Sequence, residues 1–139
     1  MRKVLLTLLL LLCSFGVYPS ANAEDAYYQQ SYSTTVLGSA GVYSSGVFST
    51  RSYKSVGVVV LSNVSSAANG LKIIFYKGPN CETGSPTAIY TANGTGWTYT
   101  SASDPLWYVS SVYGECAQVT YTNGGTLQGS FSITVFTTK

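Results

Sequence analysis

From residue 55 onward, apolar and polar positions alternate with a period of two. Phe131, Ile133 and Val135 share one face of an extended run, with Ser130, Ser132 and Thr134 on the other. Ala117, Val119 and Tyr121 alternate with Gln118 and Thr120. Val56, Val58 and Val60 flank Gly57 and Val59. Leu71, Ile73 and Phe75 flank Lys72, Ile74 and Tyr76, a run apolar enough to be buried on both sides. Alternation over such lengths predicts strands, because successive side chains of an extended chain point to opposite faces. No stretch carries the period of an amphipathic helix. Between the runs lie Gly38-Ser39-Ala40-Gly41, Asn69-Gly70, Gly78-Pro79-Asn80, Asn93-Gly94-Thr95-Gly96, Ser103-Asp104-Pro105 and Asn123-Gly124-Gly125. Asn and Gly supply the positive φ of tight turns, so each cluster predicts a break between strands. About eight or nine short strands, roughly ten residues apart, predict an all-β fold: a single antiparallel β-sandwich of jelly-roll or immunoglobulin-like type. It is expected over residues 36–139, with no internal repeat or composition break.

The N-terminal pattern differs. Arg2 and Lys3 precede the run Val4 to Leu12, which is apolar but for Thr7; Pro19 and then Ala21-Asn22-Ala23 follow. A basic start, a short apolar stretch and a small-x-small site read as a secretory signal peptide, residues 1–23. The run is shorter than the ~20 residues a spanning helix needs, so no stable membrane insertion is expected after cleavage. Cys13 raises the alternative of a lipidated cysteine, but Leu12 is bulky where such a site wants a small residue. Residues 24–35 are polar and tyrosine-rich. They read as an N-terminal arm, either mobile or a first strand.

Charge changes the picture only after the signal is removed. The chain carries 7 Lys+Arg and 5 Asp+Glu, a formal +2. Arg2 and Lys3 account for the whole excess, leaving a neutral exported chain with little electrostatic steering. So few cations exclude a phosphate-neutralising nucleic-acid binder. There is no histidine, which removes Ser-His-Asp, Cys-His and His-ligated zinc chemistry and leaves no expected metal or cofactor. Beyond the signal, Cys81 and Cys116 form an even pair in an oxidising compartment, secreted, extracellular or periplasmic. A bond between them would stabilise the fold by about 3.8 kcal/mol on the chain-entropy account.

Candidate chemistry is sparse. Glu82 follows Cys81 and Glu115 precedes Cys116, so the disulfide would gather two carboxylates. A solvated loop rim is favoured over a glycosidase pair, since nothing in the pattern makes a cleft. No G-x-S-x-G elbow accompanies the many serines, and Asn93-Gly94-Thr95-Gly96 lacks the lysine and helix of a phosphate loop. Asn63-Val64-Ser65 and Asn93-Gly94-Thr95 are glycosylation sequons. The aromatics Trp97, Tyr99, Trp107, Tyr108 and Tyr113 are the candidate ligand-binding residues, because exposed rings stack on sugars and anchor protein interfaces. Trp97 and Tyr99, beside a Gly-rich turn, stand first among them.

The stretches Ser55–Val60, Gly70–Phe75, Ile89–Asn93, Gln118–Gly124 and Phe131–Val135 together resemble small β-sandwich modules of phage and virus surface proteins. Ala117 and Gln118 stand where those modules carry arginines, and a signal peptide with a cysteine pair departs from a cytosolically assembled virion part. The resemblance implies binding or assembly without catalysis, and transfers no functional residue. The expected function is therefore a secreted, non-enzymatic module for surface attachment, with a glycan or surface protein as partner. The alternative is self-association into a filament, coat or matrix, with strand edges as the contacts.

Overall fold

The computed structural model describes residues 27–78, 80–81 and 87–139. The signal peptide, the cleavage site and Glu82 lie outside the described residues. Eight strands are present among the described residues, with no helix: β1 (Tyr27–Ser33), β2 (Val42–Ser49), β3 (Ser55–Ser62), β4 (Ser66–Lys77), β5 (Thr87–Thr91), β6 (Leu106–Ser111), β7 (Cys116–Asn123) and β8 (Phe131–Thr138). They form two antiparallel four-stranded sheets, ordered β1-β8-β3-β6 and β2-β7-β4-β5.

That order has a simple origin. β1 pairs with β8, β2 with β7, β3 with β6 and β4 with β5, as in one long hairpin. Rolling the hairpin adds the β3–β8 and β4–β7 ladders and splits it into two sheets. The result is a jelly roll, which resolves the choice left open between that and an immunoglobulin-like sandwich.

The alternating runs become the inner faces. Val56, Val58 and Val60 meet Ile133 and Val135 from one sheet, and Leu71, Ile73, Phe75, Val119 and Tyr121 from the other, all fully buried. Apolar burial on this scale drives the fold, each such side chain contributing about 1.5–3 kcal/mol. The outer face of β4 is less enclosed than its sequence suggests: Lys72, Ile74 and Tyr76 are half-buried.

Residues 27–33 form a sheet strand along β8, so this part of the tyrosine-rich segment is a first strand and not a free arm. It adds no residue to the hydrophobic core. Asn69-Gly70 does not separate two strands. It lies inside β4, where the ladder to β7 skips between Ser66 and Leu71. Asn69 takes φ 52°, and a Cβ on Gly70 would come within 2.6 Å of the Thr122 carbonyl. The same residues that make hairpin turns here make a bulge that bends one long strand. Asn93-Gly94 does form a turn, with both residues at positive φ and the Gly94 N–H donating to the Thr91 carbonyl.

Candidate functional site

The five candidate aromatics do not form one cluster; the sandwich distributes them over three environments. Tyr99 is fully buried. Its hydroxyl accepts from the Ser62 N–H at 2.8 Å and donates to the Ser62 carbonyl at 3.0 Å, while its own N–H donates to the Ser66 Oγ. With both sides of the hydroxyl engaged and the ring 6.1 Å from that of Tyr121, it clamps the end of β3 and offers nothing to a ligand. Tyr99, placed beside a Gly-rich turn by the sequence, thus lies in the core. The Gly-rich turn before it turns the chain inward, because Trp97 exchanges two backbone hydrogen bonds with Leu71. Trp97 is half-buried against the core, and its ring meets Tyr108 at 5.6 Å. Tyr108 faces inward from β6 and is also half-buried; burial raises its hydroxyl pKa, and the neighbouring Tyr99 adds to the rise.

Tyr113 is exposed beside Tyr90, the rings 4.4 Å apart, at an open groove lined by Lys77, Ile89, Val112, Tyr113, Gly114 and Glu115. The Cys81–Cys116 disulfide, with Cα atoms 5.5 Å apart, ties down this end. Glu115 serves the loop: its Oε2 accepts from the Gly78 N–H, and its Oε1 lies 3.7 Å from the Arg51 guanidinium. Both ion-pair partners are about half exposed, so the pair adds little stability.

Trp107 is the outlying candidate and the most open, 64% exposed on the outer face of the β1-β8-β3-β6 sheet. A second ring explains its setting. Phe136 pairs with Gly57 across the β3–β8 ladder and lies over it so closely that a Cβ there would sit 2.1 Å from the ring. Phe136 is itself nearly buried. Tyr27 meets it edge-on at 5.3 Å from the β1 side, and Trp107 meets it edge-on at 5.6 Å from the β6 side. Tyr27 is 69% exposed. Three rings thus cross the sheet on a diagonal, Tyr27 level with Thr138 and Trp107 level with Val59, with exposed Val109 beside them, opposite Gly57 in the β3–β6 ladder. None of the four strands carries a charged residue.

Tyr27, Gly57 and Phe136 were not among the sequence candidates, although two signals for them exist. Phe136 directly follows Val135, so it falls out of phase with the buried row Phe131-Ile133-Val135. Gly57 interrupts a valine run and leaves a gap on the outer face. Aromatic side chains cover such sheet glycines well.

The inner polar groups are structural. Gln128 accepts from the Leu37 N–H and donates to the Ser62 Oγ, and the Asn123 amide donates to three loop carbonyls. The Asn63 Oδ1 accepts from the Gly129 and Ser130 N–H groups, so this sequon side chain fastens the loop before β8. The Asn93 amide donates to the Gly96 carbonyl within its turn.

No protein-family model matches the chain, and no curated protein does. Two solved structures are similar. The exported protein XepA of PBSX is 13% identical with a TM-score of 0.59, the match covering 87% of this chain and 39% of that one. The chain therefore spans about two-fifths of that neighbour's length. A subunit of Bacillus endospore appendages, described as disulfide-linked pili, is 13% identical with a TM-score of 0.34, covering 88% of this chain and 97% of the other. At such identities the likeness to XepA speaks for the fold: this is a small, disulfide-bonded all-β module.

Proposed function

We propose that the protein is an exported, non-catalytic surface-attachment module that holds a carbohydrate on the outer face of the β1-β8-β3-β6 sheet. The observation that carries this reading is the ring row Tyr27–Phe136–Trp107. The outer two rings are open to solvent and the middle one is pinned over Gly57. Sugars present apolar C–H faces to aromatic rings and hydroxyls to polar neighbours. Here Gln29, Ser55, Thr134 and Thr138 surround the rings, and the strands bring no charge for a neutral glycan to desolvate. The absence of histidine supports a binding role over acid–base chemistry. Export is supported by the signal-like N-terminus and the disulfide. It also fits the shared fold with XepA, itself an exported protein.

Glycan-array screening of the mature protein tests this. A ligand whose binding falls about tenfold or more in Trp107→Ala, the loss of about 1.4 kcal/mol expected for a central aromatic contact, supports it. Trp97→Ala, which thins the interior side of the same sandwich, should leave ligand specificity intact. No carbohydrate ligand, or equal losses in both variants, would sink the reading.

The second reading is a structural subunit of an extracellular filament, coat or matrix. It is favoured by one feature: across all eight strands only Lys72 and Lys77, both in β4, are charged. Uncharged edges invite pairing with another chain.

A further inference from the structure

The two sheets end in four edge strands: β1, β6, β2 and β5. Three of them carry an extra residue that breaks the regular ladder. β1 is bulged between Gln29 and Ser31, and β2 between Ser44 and Val47, where Gly46 takes φ 73°. β5 has only five residues, and its pairing with β4 shifts between Phe75 and Tyr76. Such bulges twist an edge away from incoming strands. β1 is further engaged by the hydrogen bond from the Tyr43 hydroxyl of β2 to the Ser31 Oγ.

β6 has none of these protections. Its six residues pair with β3 in unbroken register from Ser55↔Ser111 to Val60↔Leu106. It contains no charge, no proline and no glycine, and Trp107 and Val109 stand exposed along it. Asp104-Pro105 limits the edge at one end only. A flat, uncharged, apolar edge is a template for another strand.

We infer that β6 is a self-association edge, and that its occupant is the β6 strand of a second copy, running antiparallel about a two-fold axis. Two features select a second copy over a foreign strand. The strand carries no charge, so apposing it with itself brings no like charges together. Its outward row is also self-complementary: a register that sets Tyr108 opposite its own counterpart sets Trp107 of each copy opposite Val109 of the other. Aromatic–β-branched cross-strand pairs of this kind are favourable, and the two-fold axis makes the pair twice. The joined sheets would be eight strands wide, β1-β8-β3-β6 continued by its mirror order, with a ring row on each half. The inference stands on edge geometry and is independent of the carbohydrate reading; a dimer that binds no glycan and a monomer that binds one are both distinguishable outcomes.

The test is light scattering after size exclusion, on the mature chain across a concentration series. Wild type should pass from monomer to dimer as concentration rises. Val109→Lys, which removes the β-branched partner of Trp107 and brings two like charges diagonally together across the two-fold axis, should weaken the dimer at least about tenfold, while Tyr32→Lys on the β1 edge leaves it unchanged. Circular dichroism and the melting midpoint establish that each variant is folded. A register check does not depend on weakening anything: Trp107→Cys mixed with Val109→Cys should cross-link under mild oxidation faster than either variant alone. A wild type monomeric throughout overturns the inference. So does an association that Val109→Lys leaves intact, or a mixture that cross-links no faster than its components.

Discussion

Two aromatic regions of this molecule use the same side chains to opposite ends. Inside, Tyr43, Phe131, Tyr121 and Tyr99 form a chain of rings at 6.5, 5.1 and 6.1 Å. Outside, Tyr27, Phe136 and Trp107 form a row at 5.3 and 5.6 Å. The distances hardly differ, so ring contact alone does not separate structure from site. The surroundings do. The inner hydroxyls of Tyr43 and Tyr99 are tied to Ser31 and to the Ser62 backbone. Outside, Phe136 rests on Gly57, and Tyr27 and Trp107 lean edge-on against it and leave their far sides to solvent. The inner rings are enclosed on all sides, whereas Tyr27 and Trp107 each keep an open face.

The sharpest way to break this contrast is Tyr99→Ala. It removes a buried aromatic and leaves the Ser62 N–H and carbonyl without their partner, so unfolding free energy should drop by about 3–5 kcal/mol. Tyr99→Phe keeps the ring and loses only the hydroxyl; its cost should be about 1–3 kcal/mol, set by the unsatisfied Ser62 groups. Denaturant titration of both variants reads the two parts. If Phe costs as much as Ala, the ring contributes nothing and the inner chain is a hydrogen-bond device only.

Gly57→Ala sits between the regions. The added Cβ would overlap the Phe136 ring, which has to swing off the sheet. Such overpacking costs about 1–3 kcal/mol. Because Phe136 lies on the outer face, the displaced ring also separates Tyr27 from Trp107. The variant should therefore lose stability and binding together, unlike Tyr99→Phe, which should lose stability alone.

Alkali acts on the inner region. Burial raises the hydroxyl pKa of Tyr43, partly offset by its Ser31 bond. It also raises that of Tyr121, whose hydroxyl has no well-aligned partner; the nearby Ser62 and Gln128 side chains offset only part of the rise. Their folded-state pKa values thus lie above the unfolded value of about 10. Above that pH the unfolded chain releases protons that the folded chain retains, so stability falls as pH rises. Below it these groups are protonated in both states and contribute no slope. Melting midpoints measured across this range should decline only on the alkaline side, and Tyr121→Phe should flatten the decline.

How much of this was legible in the sequence follows from the same contrast. Rows such as Val56-Val58-Val60 and Phe131-Ile133-Val135 announced the inner faces, because burial of one face imposes period two on the chain. The jelly-roll order was not legible, since alternation marks faces and says nothing of which strands are neighbours. Asn69-Gly70 misled because positive φ serves a bulge as well as a turn. Among the candidate rings, Tyr99 lay one turn from a Gly-rich loop and looked exposed, but the Trp97–Leu71 bridge carries that segment over the core. Tyr27 fell in a segment with no apolar alternation, because β1 has no fully buried residue and its place depends on its ladder with β8.

The smallest expected change in stability belongs to Trp107→Ala, and it sharpens the comparison most. The ring is 64% exposed, and its packing partner Phe136 remains supported by Gly57 and Tyr27. Truncation at such a surface position should shift unfolding free energy by only about 0.5 kcal/mol. A much larger loss would mean that Trp107 is part of what holds the sheet together, and the outer row would join the inner one as structure. A near-silent effect, with ligand binding reduced in the same preparation, is what separates a site from a core. In that outcome the fold does not need the ring, and the proposed carbohydrate contact is what its exposure serves.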